Sequence, residues 1–280
     1  MKDKASVAVI SMVRNDTFFA DKWIAYYGAQ FGFKNLFLFV DGLDQQLPTL
    51  AGKINCFQNP HQPMKRSKGD RYRARMISDF AKNLFHSYKV VLAMDIDEFL
   101  VIDPDQGLSL KHYLLQDFSS DSLSALGIDV GEHPVIESAI DLEKPFLSQR
   151  HYGQVSDRYT KPIVTFKPLT WGSGFHRIKG KNFTVDSSLY LFHFGLVDRK
   201  TAMNKKDEKE IQERGWEGHL GRRFKLYQAL KEETPLDADI FFQEARKRLM
   251  KNRKWYAYNK PAPLKGNAVI RIPKRFHNIV

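Results

Sequence analysis

Two aspartates follow an apolar run in the first third of the chain, and their carboxylates suit a divalent cation. Residues 90–94 are apolar and predict a buried strand that delivers Asp95 and Asp97 at its carboxyl end. Side chains two residues apart on an extended strand point the same way, so we expect both carboxylates to face one cleft. Mg²⁺ and Mn²⁺ take oxygen ligands of this kind and usually share them with a substrate's phosphates. Asp-x-Asp also occurs as a chance surface turn, so the neighbouring elements decide between the two interpretations.

Polar residues are predicted at the ends of other strands of the same sheet. The predicted elements are strands at 6–12, 36–40 and 53–57, a helix from Asp16 or Thr17 to about Gly32, and a helix at 71–88. This alternation predicts a parallel sheet, in which ligands lie outside the carboxyl ends of the strands. Arg14, Asp41 and Asp95 all stand at such ends.

Composition and charge limit the classes of protein that this chain can belong to. Apolar residues make up 42 % of the 280 residues, which indicates a globular protein of one large or two small domains. Cys56 is the single cysteine, so an intramolecular disulfide is excluded and a reducing compartment is favoured. Its apolar neighbours predict a buried residue rather than a nucleophile. The net charge of +12 favours phosphates, nucleic acid or anionic lipid as partners.

The chain shows no signal-peptide pattern and no apolar run long enough to span a membrane. We therefore expect a soluble or peripheral protein in the cytoplasm, in contact with the inner face of the membrane if its basic surface meets anionic lipid. Much of the positive charge lies beyond Lys161, especially from Arg214 onward. Helical patterns are predicted from Gly221 and at 237–250, whereas residues 267–280 are basic and poorly patterned.

Four segments, taken in order, resemble one known family. They are residues 10–16 (ISMVRND), 23–28 (WIAYYG), 39–44 (FVDGLD) and 94–99 (MDIDEF). Their order resembles that of the family 2-type glycosyltransferases of the GT-A fold, in the branch related to the family 92 transferases. The resemblance covers residues 6 to about 103 and is thinner from 161 to 193. It departs from the family pattern at Asp16, where the branch usually has Glu, and at Tyr27, where it often has a Tyr-His pair.

The resemblance implies an α/β fold of the GT-A-like, Rossmann-like kind. We expect a mostly parallel mixed sheet flanked by helices as a catalytic domain at 1–200, with a basic, largely helical C-terminal extension at 201–280. The family pattern implies that Asp41 contacts the base or ribose of a nucleotide. It also implies that Asp95 and Asp97 bind Mn²⁺ or Mg²⁺ and that His193 completes the metal shell. His193 follows apolar residues, so a satisfied core histidine is the alternative.

Further residues are candidates for the donor and acceptor sites. Arg14 is a predicted donor contact, and Arg71 and Arg75 share a helix face near the expected phosphates, although a solvated basic face is the alternative. Trp171 and His176 lie in a glycine-rich segment that predicts acceptor contacts or a structural hairpin.

Three acidic residues are assigned supporting or catalytic roles. Asp129 or Glu132 is the predicted general base, with a surface loop charge as the alternative for each. Glu98 is expected to brace the loop around the aspartates rather than to bind metal.

These observations predict a metal-dependent, inverting glycosyltransferase that moves a sugar from a nucleotide-diphospho-sugar to the hydroxyl of a saccharide or glycoconjugate acceptor, in polysaccharide or glycoconjugate synthesis. A phosphatase with an Asp-x-Asp nucleophile is disfavoured because the pair follows a later strand and precedes Glu98. The other alternative is a non-catalytic basic protein that binds an anionic surface or RNA. No RNA-binding signature is present, so nucleic acid is not an expected partner.

Overall fold

The computed structural model of the protein describes residues 5–207, 224–251, 253, 255–264 and 268–280. Ten strands of these residues form a mixed sheet, and the chain divides into two compact units that alternate along the sequence. The first unit comprises Met1–Glu98, Gly107–Ser124 and Pro162–Asp186, and the second comprises Phe99–Gln106, Ala125–Lys161 and Ser187–Val280. The division into a catalytic domain at 1–200 and an extension at 201–280 stays a prediction.

The first unit begins with alternating strands and helices, as the sequence predicts. Its leading elements are β1 (Ala5–Val13), α1 (Thr17–Phe31), β2 (Leu36–Asp41), β3 (Asn55–Asn59), α2 (Arg66–Leu84) and β4 (Tyr88–Ala93). Strand β1 pairs in parallel with β2 and with β4, and β2 pairs in parallel with β3. The side chain of Asp16 accepts a hydrogen bond from the Phe19 amide at the start of α1, and Gly32 ends the helix with φ at 90°.

The strands that follow β4 add antiparallel pairs to the sheet. The remaining elements are β5 (Glu98–Ile102), α3 (Leu110–Leu114), β6 (Ser122–Gly131), β7 (Tyr152–Val155), β8 (Val164–Thr165), β9 (Val185–Leu196), α4 (Arg199–Asp207), α5 (Lys225–Glu232), α6 (Ala238–Met250) and β10 (Val269–Arg271). Strand β8 is antiparallel to β4 and β6, and β7 is antiparallel to β6 and β10. The prediction of a mostly parallel sheet is therefore wrong. Parallel pairing needs a long crossover, and after β4 several strands are joined by turns and loops instead.

Helix α2 carries the core of the first unit. Ile77 is fully buried, and Ala74 and Ala81 are nearly so, so these residues form one apolar face of the helix. Ile77 and Ala81 belong to a cluster with residues of β1, β2 and β4 that also includes Trp171. Cys56 of β3 is half-buried, and burial raises the pKa of its thiol, which disfavours the reactive thiolate.

The second unit contains the described part of the C-terminal helices. Helix α6 confirms the predicted amphipathic helix, and the Asp237 side chain caps it by accepting from the Ile240 amide. Gly221 and Arg214 lie outside the described residues, and α5 begins at Lys225. A small core forms where α4 and α5 meet the strands; its buried members are Leu196, Ala202, Leu226, Tyr227, Leu230 and Val269. Among the described residues, no helix is both long and apolar enough to cross a membrane.

Ile77→Ala should lower the free energy of unfolding by about 2–5 kcal/mol, because it leaves a cavity between α2 and the sheet. Arg75→Ala is the matched control on the same helix, since the Arg75 side chain is 85 % exposed; it should change stability by no more than about 0.5 kcal/mol. Urea denaturation measures both effects. Equal losses in the two variants would contradict the packing of α2 described above.

Candidate functional site

The two aspartates that motivated the functional hypothesis lie in a tight turn rather than on a strand. Strand β4 ends at Ala93, and Asp95 and Asp97 stand between it and β5. The Asp95 amide donates to Oε2 of Glu98 at 3.2 Å, and the Glu98 amide donates to the carbonyl of Asp95 at 3.2 Å. Glu98 is fully buried, so its carboxylate braces the turn as the sequence predicts. The orientation of Asp95 and Asp97 is therefore set by a hydrogen-bonded turn and not by strand alternation.

An arginine that sequence analysis did not select faces this turn. Nη1 of Arg73 lies 3.1 Å from Oδ1 of Asp95, and its Nη2 lies 3.6 Å from Oδ1 of Asp70. Burial works against the charge on the guanidinium, but the carboxylates of Asp95, Asp70, Glu98 and Asp97 outweigh it and raise the pKa of Arg73. Arg73 is thus a fixed positive charge within an acidic cluster.

The two arginines predicted to contact phosphate lie elsewhere on α2. The Arg71 Nε donates to the carbonyl of Ser67, and the exposed Arg75 pairs with Asp79 at 3.8 Å. The helix begins at Arg66, five residues before the predicted start, so neither arginine lies in its first turn. Their predicted place at the helix N-terminus is therefore wrong.

The early start of α2 has a local electrostatic cause. Arg66 and Asp70 pair at 3.8 Å across one turn, and Asp70 also pairs with Arg73. Such pairs at three- and four-residue spacing stabilise a helical turn that looks like a polar loop in the sequence. The sequence did contain a signal for Arg73. It stands three residues after Asp70, its ion-pair partner, and four residues before the buried Ile77, so it borders the buried face of the helix.

The carboxyl end of β2 presents a second polar cluster of the first unit. Oδ2 of Asp41 lies 2.9 Å from Nδ1 of His61, a contact that the sequence did not predict. Nη1 of Arg14 donates to the Asp41 carbonyl at 2.8 Å, which ties the ends of β1 and β2 together. Gly42 has φ at 135°, and a Cβ there would lie 2.3 Å from Nη1 of Arg14. Only glycine therefore allows this close approach.

Arg14 also fixes the turn that follows Asp41. Its two Nη atoms lie 3.2 and 3.3 Å from the carboxylate oxygens of Asp44. The hydrogen bond from Arg14, with a second from Gln45, lowers the pKa of Asp44 from 3.8 to about 2. A lowered folded-state pKa contributes stability above the unfolded value of 3.8, and this contribution is lost as the pH falls toward 2.

In the second unit, two residues with different predicted roles contact each other. Nδ1 of His193 lies 2.7 Å from Oδ1 of Asp129, and the ring of Tyr159 stacks on the imidazole with centroids 3.7 Å apart. A carboxylate on one ring nitrogen fixes the orientation of an imidazole, an arrangement seen in metal-binding histidines. The roles of His193 as a metal ligand and Asp129 as a base stay predictions.

Glu132, the alternative candidate for the base, is engaged in structural contacts. Its Oε2 accepts from the Arg199 amide at the start of α4 at 2.9 Å and lies 3.5 Å from Nη2 of the buried Arg150. A carboxylate at a helix start satisfies a free amide and complements the helix dipole. Asp129 and Glu132 thus each have one carboxylate oxygen engaged, and the role of either as the base stays a prediction.

The predicted acceptor contacts form a hairpin. Trp171 is 1 % exposed, and its Nε1 donates to the Pro162 carbonyl at 2.8 Å. It forms an antiparallel bridge with Ile178, so the structural alternative describes it and the prediction of sugar stacking on Trp171 is wrong. The glycines and the bridge turn the chain so that the large ring enters the core. His176 is exposed near the tip of this hairpin, and its acceptor role stays a prediction.

The oxygen donors of the turn can be compared with what a divalent cation needs. No group of three or more His, Cys, Asp or Glu side chains suited to a metal ion is found in the described part of the chain. Asp95 and Asp97 nevertheless offer carboxylates within one turn, and Mg²⁺ commonly takes one or two protein carboxylates with phosphates and water as the other ligands. The acidic side chains around the turn already stabilise one positive charge, that of the Arg73 guanidinium. The residues present therefore fit a cation shared with a phosphate-bearing substrate.

Comparison with known proteins adds little to this geometry. No protein-family model and no curated protein matches the chain. One solved structure with some likeness is a glycosyltransferase involved in the glycosylation of the major capsid of PBCV-1, with a TM-score of 0.24 and 14 % sequence identity. The match covers 48 % of this chain and 54 % of that one. A likeness of this extent carries no argument about the fold or the function of this protein.

Arg14→Gln should raise the pKa of Asp44 from about 2 toward 3.8, because it removes the hydrogen bond that lowers that pKa most. Carbon-detected NMR titration of the carboxyl groups measures the change. Asp121 is the internal control, since Lys167 and Lys181 lower its pKa and neither is altered. An unchanged Asp44 titration in the variant would contradict the described turn.

Proposed function

We propose that this protein is a metal-dependent glycosyltransferase that uses a nucleotide-diphospho-sugar donor. The observation that carries the proposal is the braced Asp95–Asp97 turn at the carboxyl end of β4, in the same unit as the polar end of β2. Strands β1, β2 and β4 are parallel neighbours, so their carboxyl ends share one edge of the sheet. The sequence resemblance to GT-A enzymes assigns the donor to this edge.

The end of β2 supplies the proposed contacts with the nucleoside. Asp41 is held by His61, so its carboxylate is oriented before a ligand arrives. A fixed carboxylate accepts hydrogen bonds from ribose hydroxyls or from N–H groups of a base. Arg14 contributes by holding the backbone at Asp41 and the following turn, a positioning role rather than the direct donor contact first predicted.

The turn after β4 would hold the cation. Asp95 and Asp97 are the proposed protein ligands, and a Mn²⁺ or Mg²⁺ ion bound there supplies positive charge to the leaving diphosphate. Glu98 keeps the turn in place through the Asp95 amide. The acceptor in this proposal is a saccharide or glycoconjugate, whose hydroxyl attacks with inversion at the anomeric carbon.

Asp97→Asn should abolish the Mn²⁺-dependent stabilisation that nucleotide-sugars give, because it removes a charged ligand from the turn. Thermal unfolding with a panel of nucleotide-sugars, with and without Mn²⁺, measures this; a donor at 100 times its Kd adds about 2.7 kcal/mol of stability. Asp79→Asn is the control, since that carboxylate is exposed on α2 and pairs with Lys82. Normal Mn²⁺-dependent binding by the Asp97 variant would overturn the proposal.

A surface of the second unit supports a peripheral membrane location at the inner face of the membrane. Among the aromatic rings near the C-terminus, Phe241 and Phe242 are buried. Trp255 and Tyr256 are instead 87 % and 60 % exposed, and basic residues surround them in the sequence. Exposed Trp and Tyr beside Lys and Arg are typical of contacts with the headgroup region of anionic bilayers.

The double variant Trp255→Ala/Tyr256→Ala should lose most binding to vesicles of phosphatidylserine and phosphatidylcholine, and the parent should lose binding as salt is raised. Co-sedimentation at low and high salt measures both. Tyr72→Ala, which removes a ring that is 46 % exposed on α2, is the control and should bind as the parent does. If the parent does not bind such vesicles at low salt, the membrane location is wrong, and the donor proposal stands independently.

A further inference from the structure

Arg73 has a position that the donor site described above does not explain. Its guanidinium contacts the carboxylates of Asp95 and Asp70, and 28 % of its side chain is still exposed. Its buried Nε donates to no acceptor among the described residues. The guanidinium therefore lies beside a proposed cation ligand, reaches solvent, and retains an unused donor.

The residue beneath Arg73 indicates that the guanidinium is held in place. The ring of Phe175 lies 5.7 Å from the guanidinium carbon, at a distance suited to a cation–π contact. Phe175 adopts φ at 59°, which is uncommon for a residue with a bulky side chain. Such backbone strain tends to occur where a side chain must be placed for a function. Phe175 is buried in the same core cluster as Ile77 of α2, so the surrounding packing maintains this conformation.

A carboxylate that pairs with one cation binds a second one more weakly, because the two positive charges repel each other. A divalent ion at Asp95 would compete with Arg73 for the carboxylate of Asp95, whose Oδ1 lies 3.1 Å from Nη1 of Arg73. A diphosphate bound at the same turn brings new anionic oxygens. A guanidinium binds phosphate oxygens through two parallel N–H groups, and this geometry suits phosphate better than an ammonium does.

We propose that Arg73 is a diphosphate-binding residue that also serves as the resting counter-charge of Asp95. Without ligand, the guanidinium neutralises the acidic turn. With Asp95 and Asp97 holding a divalent cation, the Arg73 guanidinium would donate instead to the oxygens of the donor's diphosphate. This inference rests on the proposed function, since it assigns a further residue to the same donor site. It predicts opposite effects of one substitution on two ligands.

Arg73→Gln should bind Mn²⁺ alone about tenfold more tightly than the parent, because the competing charge is removed. The same variant, saturated with Mn²⁺, should bind inorganic pyrophosphate about tenfold or more weakly, because it lacks the charged donors. Free Mn²⁺ measured by electron paramagnetic resonance gives the first affinity. Isothermal titration calorimetry gives the second.

Two further variants separate charge from geometry. Arg73→Lys keeps the positive charge but not the planar fork, so Mn²⁺ affinity should stay near the parent value while pyrophosphate affinity falls. Arg75→Gln is the matched control on the solvent face of the same helix and should change neither affinity. If Arg73→Gln does not fold, the Nε–H resonance of Arg73 in the parent provides the test. It should shift on adding Mg²⁺ and pyrophosphate together, and an unmoved resonance would refute the exchange.

The outcomes distinguish this inference from the proposed function. If the parent binds Mn²⁺ and pyrophosphate and Arg73→Gln leaves both affinities unchanged, the role of Arg73 is wrong while the donor site stands. If both affinities fall together, Arg73 only maintains the shape of the turn, which also refutes the exchange. If the parent binds neither probe and Asp97→Asn changes nothing, the proposed donor site itself fails.

Discussion

The ion pair between Arg73 and Asp95 is the interaction on which the first unit's candidate site depends. Four carboxylates, those of Asp70, Asp95, Asp97 and Glu98, act on one guanidinium, which offsets the cost of taking its charge out of water. Removing the arginine would leave several acidic groups close together, and removing the acids would leave a partly buried cation. The arginine and the carboxylates each need the other to offset the cost of burial. Helix α2, which carries Arg73, is therefore fixed relative to the turn after β4, which carries Asp95.

The turn itself shows how a fully buried carboxylate can support two that are only partly buried. Glu98 is fully buried and accepts a hydrogen bond from the Asp95 amide, while the Tyr27 hydroxyl donates to the Glu98 carbonyl at 3.2 Å. The rigid core element α1 thereby supports the loop that presents Asp95 and Asp97. A ligand site built on such a turn needs less reorganisation on binding than one on an unsupported loop. The sequence predicted the brace from the neighbouring acids, but it placed the aspartates on an extended strand.

Sequence patterns predicted the elements that have a local apolar signature and missed those that depend on distant contacts or on ion pairs. Strands β1 and β2 and helix α1 were recognisable because continuous apolar runs and a capped, periodic helix are local properties. The first turn of α2 was read as a loop, since ion pairs rather than apolar residues stabilise it. The directions of the antiparallel strands could not be predicted, because the segments that join them have little periodicity and do not indicate which strands pair. Trp171 was predicted to contact the acceptor because an indole ring can stack on a sugar. In the structure it lies in the core, where its amide donates to the Ser78 hydroxyl and its Nε1 donates to the Pro162 carbonyl.

The candidate residues of the second unit illustrate why roles are harder to predict than residues. His193 and Asp129 were both selected from the sequence, yet they are 64 positions apart and their contact at 2.7 Å was not foreseen. The contact changes what each residue can do. A carboxylate that accepts from an imidazole has one oxygen committed, and the imidazole gains a fixed orientation. Tyr159 stacks on the ring, and a Cβ at Gly127 would lie 2.2 Å from the Tyr159 backbone, so the absence of a side chain there permits the stack. The position of the Tyr159 ring against this pair thus depends on a glycine that no catalytic motif would have identified.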